Sequence, residues 1–198
     1  MRYTAHSAKS DPLDLAPLEL FEGRNGRSFV HDASRGLPHD MMSVSLIYAE
    51  LPWIGGWEEF NRRAVVGSEV TYKAFAKTIE ASIVASGVPA VLLVGAASAR
   101  LFDAPKSFAV RLNYAYSSIC SVLCINFNSA HDDMIGVAST ARYSADLLAR
   151  LAESFASVGD FACGYGNSGR IFANAGRRYV MSDINGRCIR HISQQGWA

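Results

Sequence analysis

The chain is poor in the features that staple, anchor or steer a protein from outside its own core. It has four cysteines, Cys120, Cys124, Cys163 and Cys188, and none are paired in C-x-x-C spacing. A reduced, cytoplasmic protein is therefore expected. No apolar run approaches the roughly 20 residues that span a bilayer. The polar opening, residues 1–7, carries no apolar signal segment. There is no phosphate-binding G-x-x-x-x-G-K-[ST] and no Ser-His-Asp elbow. Net charge is scarce as well: 19 basic and 18 acidic side chains leave +1, which points to no class of partner.

What is present is an ordinary globular composition, 49% hydrophobic and 19% charged over 198 residues. That length fits one domain, able to bury a core without disulfides or metals. The apolar fraction is too high for a disordered chain. Arginine dominates the basic residues. Arg170, Arg177, Arg178, Arg187 and Arg190 fall in a stretch whose only acid is Asp183. Arginine is the better fork for phosphate, so nucleic acid fits, and so does a solvated helix face.

Residues 1–40 read as an N-terminal arm, with a short hairpin around the Asn25-Gly26 turn. Residues 41–198 read as the main domain. Val44 to Ala49 is a buried strand that ends abruptly at Glu50-Leu51-Pro52-Trp53-Ile54-Gly55-Gly56. A helix near 71–86 stops at Gly87, and Pro89 to Gly95 is a second buried strand. Strand candidates follow near 107–115 and 119–127, the second carrying Cys120 and Cys124 as core residues. Thr140 to Phe155 has helical spacing, residues 157–161 are strand-like, and residues 167–175 are helical. Arg178 to Asp183 is a strand, and a last helix runs from about Asn185 to Ser193. Alternating strands and helices make the class α/β, a mostly parallel sheet covered on both faces, with an antiparallel edge near 107–127.

The most informative segment runs from Val158 to Gly169. A strand enters it, a helix leaves it, and Asp183 ends the next strand. Gly164 and Gly166 permit a tight turn and close backbone approach to a ligand. The helix start adds free N–H groups, and a carboxylate at Asp183 can accept both hydroxyls of a ribose. Two ligands fit. Gly164, Gly166 and Gly169 satisfy the dinucleotide pattern G-x-G-x-x-G. The alternative is S-adenosyl-L-methionine, which three features favour. Asp160 stands at the strand end, where a carboxylate repels a pyrophosphate. A carboxylate there suits a cationic methionine end. The chain also ends soon after Asp183, so most of the sheet lies upstream and the order is circularly permuted.

These stretches resemble the amino-group DNA methyltransferases of permuted order, the adenine-N6 and cytosine-N4 enzymes. Their donor loop, D-P-F-x-G-x-G-T-T, is matched by Asp160-Phe161-Ala162-Cys163-Gly164-Tyr165-Gly166-Asn167-Ser168. Their strand ending I-G-x-D-I-N is matched by Tyr179-Val180-Met181-Ser182-Asp183-Ile184-Asn185. The helix that precedes their donor loop corresponds to the segment from Thr140, without the usual Lys-Pro. Their catalytic D-P-P-Y or D-P-P-W corresponds to Glu50-Leu51-Pro52-Trp53, with Glu for Asp and Leu for Pro.

The resemblance covers about residues 43–195 and implies a Rossmann-like methyltransferase fold. It implies S-adenosyl-L-methionine as cofactor, held by Thr140, Asp160, Phe161, Ala162, Cys163, Gly164, Gly166, Asn167, Asp183 and Ile184. It implies DNA as partner, adenine N6 ahead of cytosine N4, and no metal. Glu50, Leu51, Pro52 and Trp53 would carry catalysis. The acid accepts hydrogen bonds from the target amino group, and the aromatic stacks on a base flipped from the duplex. No cysteine follows a proline, which argues against methylation at cytosine C5.

Arg62-Arg63, the stretch from Arg100 to Arg111 with Lys106, and Arg24, Arg27 and Arg35 read either as candidates for target recognition or as surface charges. A chain this short leaves room for a homodimer or a partner subunit. The alternatives are a non-catalytic methyltransferase-like module binding nucleic acid or a partner, a methyltransferase for RNA or a small molecule, and more distantly a nicotinamide oxidoreductase. Trp57 reads either as a second stacking ring on a lip or as a packed aromatic. His131-Asp132-Asp133 reads as a solvated loop.

Overall fold

Asn25-Gly26 does what its turn chemistry predicts. β1 (Leu20–Gly23) and β2 (Gly26–Val30) pair antiparallel around it. The computed structural model describes residues 20–52, 56–57, 70–104, 106–110, 120–128, 133, 136, 141 and 143–197. Trp53, Gly55, Arg62, Arg63, Arg111, His131, Asp132 and Thr140 lie outside them, as does the arm before Leu20.

Two short 3-10 turns, Ala33–Arg35 and His39–Ser43, lead to β3 (Leu46–Glu50). α1 (Tyr72–Ser86) begins where Thr71 Oγ1 accepts from the Ala74 N–H at 3.2 Å. It stops at Gly87, whose left-handed φ of 67° suits a residue without Cβ. β4 (Ala90–Gly95), the one-turn α2 (Ala96–Ala99), β5 (Lys106–Val110) and β6 (Cys120–Ile125) follow. Then come α3 (Ser144–Ser154), β7 (Ser157–Asp160), α4 (Asn167–Asn174), β8 (Arg178–Asp183) and α5 (Gly186–Ser193). α3 starts four residues later than its apolar spacing suggests. Tyr143, the residue before it, is extended and offers no side-chain cap.

Among the described residues the strands form one eight-stranded sheet in the order β1-β2-β8-β7-β3-β4-β6-β5. β2, β8, β7, β3 and β4 run parallel to their neighbours in that series. β6 is reversed against both β4 and β5, which is the antiparallel edge expected near 107–127. β1 is reversed at the opposite edge. The hairpin is thus part of the sheet, through the pairing of β2 with β8. β7, seventh in sequence, sits at the centre, as a permuted Rossmann-like order requires. Ser45 and Ser157 clasp the start of the β3–β7 pair through Ser45 N to Ser157 Oγ at 2.9 Å and Ser157 N to Ser45 Oγ at 2.8 Å.

Side chains alternate across the strands, so each strand feeds two cores. Leu46, Tyr48, Val158 and Met181 pack on one face with Leu147, Leu151 and Phe172 from α3 and α4, and Ile189 from α5. Ile47, Ala49, Leu92 and Val94 pack on the other with Phe75, Ile79 and Ile83 of α1. Cys120 and Cys124 are buried in the first core. Among the described residues no helix is long and apolar enough to cross a membrane.

Candidate functional site: a row of strand-end carboxylates

Chain order decides where a crevice opens. β7 connects through α4, on one face, to β8 on one side. β3 connects through α1, on the other face, to β4 on the opposite side. Neighbouring parallel strands whose connections leave in opposite directions part at their carboxyl ends, and ligands of open α/β sheets bind there. β3 and β7 are that pair, with Tyr48 in register with Asp160.

Four acids stand at or just beyond the carboxyl ends of adjacent strands: Asp32 after β2, Asp183 on β8, Asp160 on β7 and Glu50 on β3. Strands lie about 4.8 Å apart, so this is a compact row. Asp160 is only 3% exposed. Its Oδ1 accepts from the Ala162 N–H at 3.1 Å and its Oδ2 from the Ser168 hydroxyl. Burial pushes its carboxyl up to about 7; the Ser168 and Ala162 donors oppose that, and the charges of Glu50 and Asp183 add to it. Asp183 is 4% exposed and accepts from Asn185 N at 2.8 Å and Gly164 N at 2.9 Å. Burial raises its carboxyl too, against those two N–H donors. No lysine or arginine pairs with Asp160 or Asp183 among the described residues.

The glycine loop carries Asp160 and Asp183 toward one another. Cys163 N–H donates to the Ser182 carbonyl at 3.1 Å, and Gly166 N–H to the Cys163 carbonyl at 2.9 Å. Gly164 (φ 51°) and Gly166 (φ 81°) are left-handed. A Cβ on Gly164 would meet nothing within 4 Å, whereas one on Gly169 would strike Met181 Sδ at 2.3 Å. Gly164 therefore faces open space and Gly169 is a packing contact between α4 and β8. Phe161 is buried in the α1-side core, and Asn167 is exposed, its Oδ1 accepting from Arg170 at 2.8 Å. Burial raises the Cys163 thiol well above its ordinary value, so it is a neutral filler beside the two aspartates.

The motif after β3 departs from its pattern in a way the fold absorbs. Leu51 restores an N–H where the pattern has proline, and that N–H donates to the Leu93 carbonyl at 2.9 Å, extending the β3–β4 ladder. Its side chain is 2% exposed in the α1-side core. Glu50 Oε1 accepts from the Tyr48 hydroxyl at 2.7 Å. Pro52, Phe161, Ala162, Asp183 and Ile184 line one cleft. Trp57 lines it as well and is packed, with its ring 4.6 Å from Phe75 and its Nε1 donating to the Val70 carbonyl at 3.0 Å.

Sequence reasoning missed part of this cleft. His31, Asp32, Ala33 and Ser34 line it, from the turn after β2. Asp32 Oδ1 caps that turn by accepting from Ser34 N at 2.9 Å. The signal was available: an acid just after a strand, the pattern that singled out Asp160 and Asp183. Ser168 and Tyr48, the side chains that bind Asp160 and Glu50, were also missed as site residues. Thr140 and Trp53 lie outside the described residues.

Fold and site together define a permuted, doubly wound Rossmann-like protein with an acidic crevice at its switch point. Neither a protein-family model nor a curated protein matches the chain. Solved structures do. A candidate DNA modification methylase from Thermus thermophilus is similar at 16% identity, over 82% of this chain and 90% of that one, with a TM-score of 0.49. The M1.HpyAVI–SAM complex is similar at 9% identity, over 85% and 98%, with a TM-score of 0.46. The cytosine-N4-specific PvuII DNA methyltransferase is similar at 10% identity, over 85% of each chain, with a TM-score of 0.45.

Proposed function

We propose that the protein is an S-adenosyl-L-methionine-dependent methyltransferase acting on an exocyclic amino group of a DNA base. One observation carries the reading. The acid of the glycine-loop strand and the acid of the catalytic-type motif, Asp160 and Glu50, flank the switch point between β7 and β3.

The residues fit the donor. Asp160 and Asp183 are buried carboxylates with no cationic side chain paired to them among the described residues, a costly arrangement that a cationic ligand would relieve. Gly164 leaves open space in front of a backbone N–H turn. Asp160 would hold the methionine end with Gly164 and Gly166, and Asp183 the ribose. Phe161, Ala162, Cys163, Asn167 and Ile184 would complete the pocket with Thr140. Asp32, in the same cleft, adds an acceptor for the donor's base edge. When bound, S-adenosyl-L-methionine supplies a methyl group made electrophilic by its sulfonium.

The chain's own part is to prepare the nucleophile. Glu50 accepts a hydrogen bond from the target amino group and takes up the proton released as the nitrogen gains its methyl. That interaction frees the nitrogen lone pair. Pro52 would restrict the backbone beyond Glu50, and Trp53 would stack on the flipped base. Leu51 replaces a rigid proline by a ladder hydrogen bond, so the backbone is still fixed where the motif needs it.

The test is made on DNA from a methylation-free bacterial host expressing the protein, digested to nucleosides and read by mass spectrometry. N6-methyladenine or N4-methylcytosine is expected, and either establishes activity and product together. A blank from well-expressed, folded protein overturns the proposal in favour of a module that binds without turnover.

A further inference from the structure

Glu50 is one methylene longer than the aspartate of the motif it resembles. An extra bond of about 1.5 Å moves a carboxylate far enough to matter, because misplacing a catalytic group by about 1 Å can cost 100-fold in rate. The side chain also stands beside Asp160, whose raised proton affinity records the charge of Glu50 among its causes. A longer, freely rotating carboxylate in that position would swing away from its neighbour.

The fold supplies a restraint. Tyr48 and Glu50 are two residues apart on β3 and therefore share a face of the strand. The Tyr48 hydroxyl donates to Glu50 Oε1 at 2.7 Å, the length of a strong, charge-assisted bond. Tyr48 is itself immobile. It is 1% exposed, packed in the core with Leu46, Leu93 and Val158, and its Cα is in register with Asp160 in the ladder. A ring held by packing gives its hydroxyl one position, and fixing one oxygen of a carboxylate sets the plane and reach of the group.

We propose that Tyr48 is a positioning residue, whose hydroxyl anchors the longer Glu50 side chain and so sets its carboxylate for the amino group of the target base. The inference rests on the methyltransferase reading above and names the device by which glutamate serves in place of aspartate. Phenol also suits the task chemically: it donates to the carboxylate without taking its charge, so Glu50 remains an acceptor.

Tyr48→Phe removes the hydroxyl and keeps the ring. At saturating donor, its single-turnover methylation of unmethylated genomic DNA is expected to fall ten- to 100-fold. Donor affinity and binding stoichiometry by calorimetry should stay within about twofold of wild type, which a fold defect would not allow. In a Glu50→Asp background the same change should cost much less, since the shorter acid has no excess length to anchor. Infrared spectra of glutamate-labelled protein read the contact without turnover: the carboxylate band should shift on Tyr48→Phe. An active wild type with an unaffected Tyr48→Phe rate overturns the inference alone, and so do equal losses in the wild-type and Glu50→Asp backgrounds. A wild type that transfers no methyl group overturns the function and this inference with it.

Discussion

Asp160 has a carboxylate on either side of it, Glu50 on β3 and Asp183 on β8, and almost no water. Its raised carboxyl is a statement about stability. An unfolded aspartate loses its proton near pH 4, whereas the folded one holds it to about 7. Between those values the native state binds the extra proton, so this group's contribution falls as pH rises and levels off above 7. Asp160→Asn removes it. The difference in melting temperature, variant minus wild type, is expected to grow in the variant's favour from pH 4.5 to pH 7.5. Thermal melts across that range check this, and a difference independent of pH would show that another group carries the shift.

Asp160 and Asp183 were legible as candidate site residues because strand, loop, helix, strand and acid follow one another locally. Asp32, Ser168 and Tyr48 were not. Asp32 joins the row only because β2 lies beside β8, and Ser168 reaches Asp160 from eight positions further along the chain. Tyr48 reads as one more apolar core position until its hydroxyl is placed against Glu50.

At the scale of the element, the glycine loop and α4 differ in what their glycines face. Gly164 has empty space in front of it and Gly169 has the Met181 side chain. Gly164→Ala should cost about 1 kcal/mol for its left-handed φ but weaken donor binding strongly, because its Cβ enters the space before the loop. Gly169→Ala should destabilise by ~1–3 kcal/mol through overpacking against β8, with a smaller effect on the donor. Chemical denaturation and calorimetry on both variants separate the two roles; matching profiles would contradict the assignment. The helix and strand types were legible from periodicity, and the structure adds side-chain N-caps at Thr71 and Asn185. The start of α3 was not, since Tyr143, the residue before it, makes no side-chain cap. Leu51 looked like damage to a motif in sequence; in the fold it is a ladder residue and a core residue.

At the scale of the molecule, the sheet is shared by two cores. Residues 46–49 of β3 alternate between them, Leu46 and Tyr48 to one, Ile47 and Ala49 to the other. Neither helical layer can leave without exposing the strands that support its partner. One cooperative transition is therefore expected. Trp57 reports the α1 side and Trp197 packs against the opposite core, so in a Trp53→Phe background fluorescence melts of Trp57→Phe and Trp197→Phe should coincide with far-UV circular dichroism. Separated midpoints would mean that the layers unfold independently.

The amino-acid sequence by itself determined the α/β class, the permuted order, the glycine loop with its two aspartates and the hairpin at Asn25-Gly26. Each of these is written in spacing and turn chemistry over a few neighbouring residues. Only the tertiary structure decided that four acids form one row and that Tyr48 holds Glu50. It also decided that the N-terminal hairpin completes the sheet and that Leu51 is tied into it. The reason is distance along the chain: β3 and β7, which make the crevice, are joined by contacts spanning 112 residues, and no local pattern encodes which strands become neighbours.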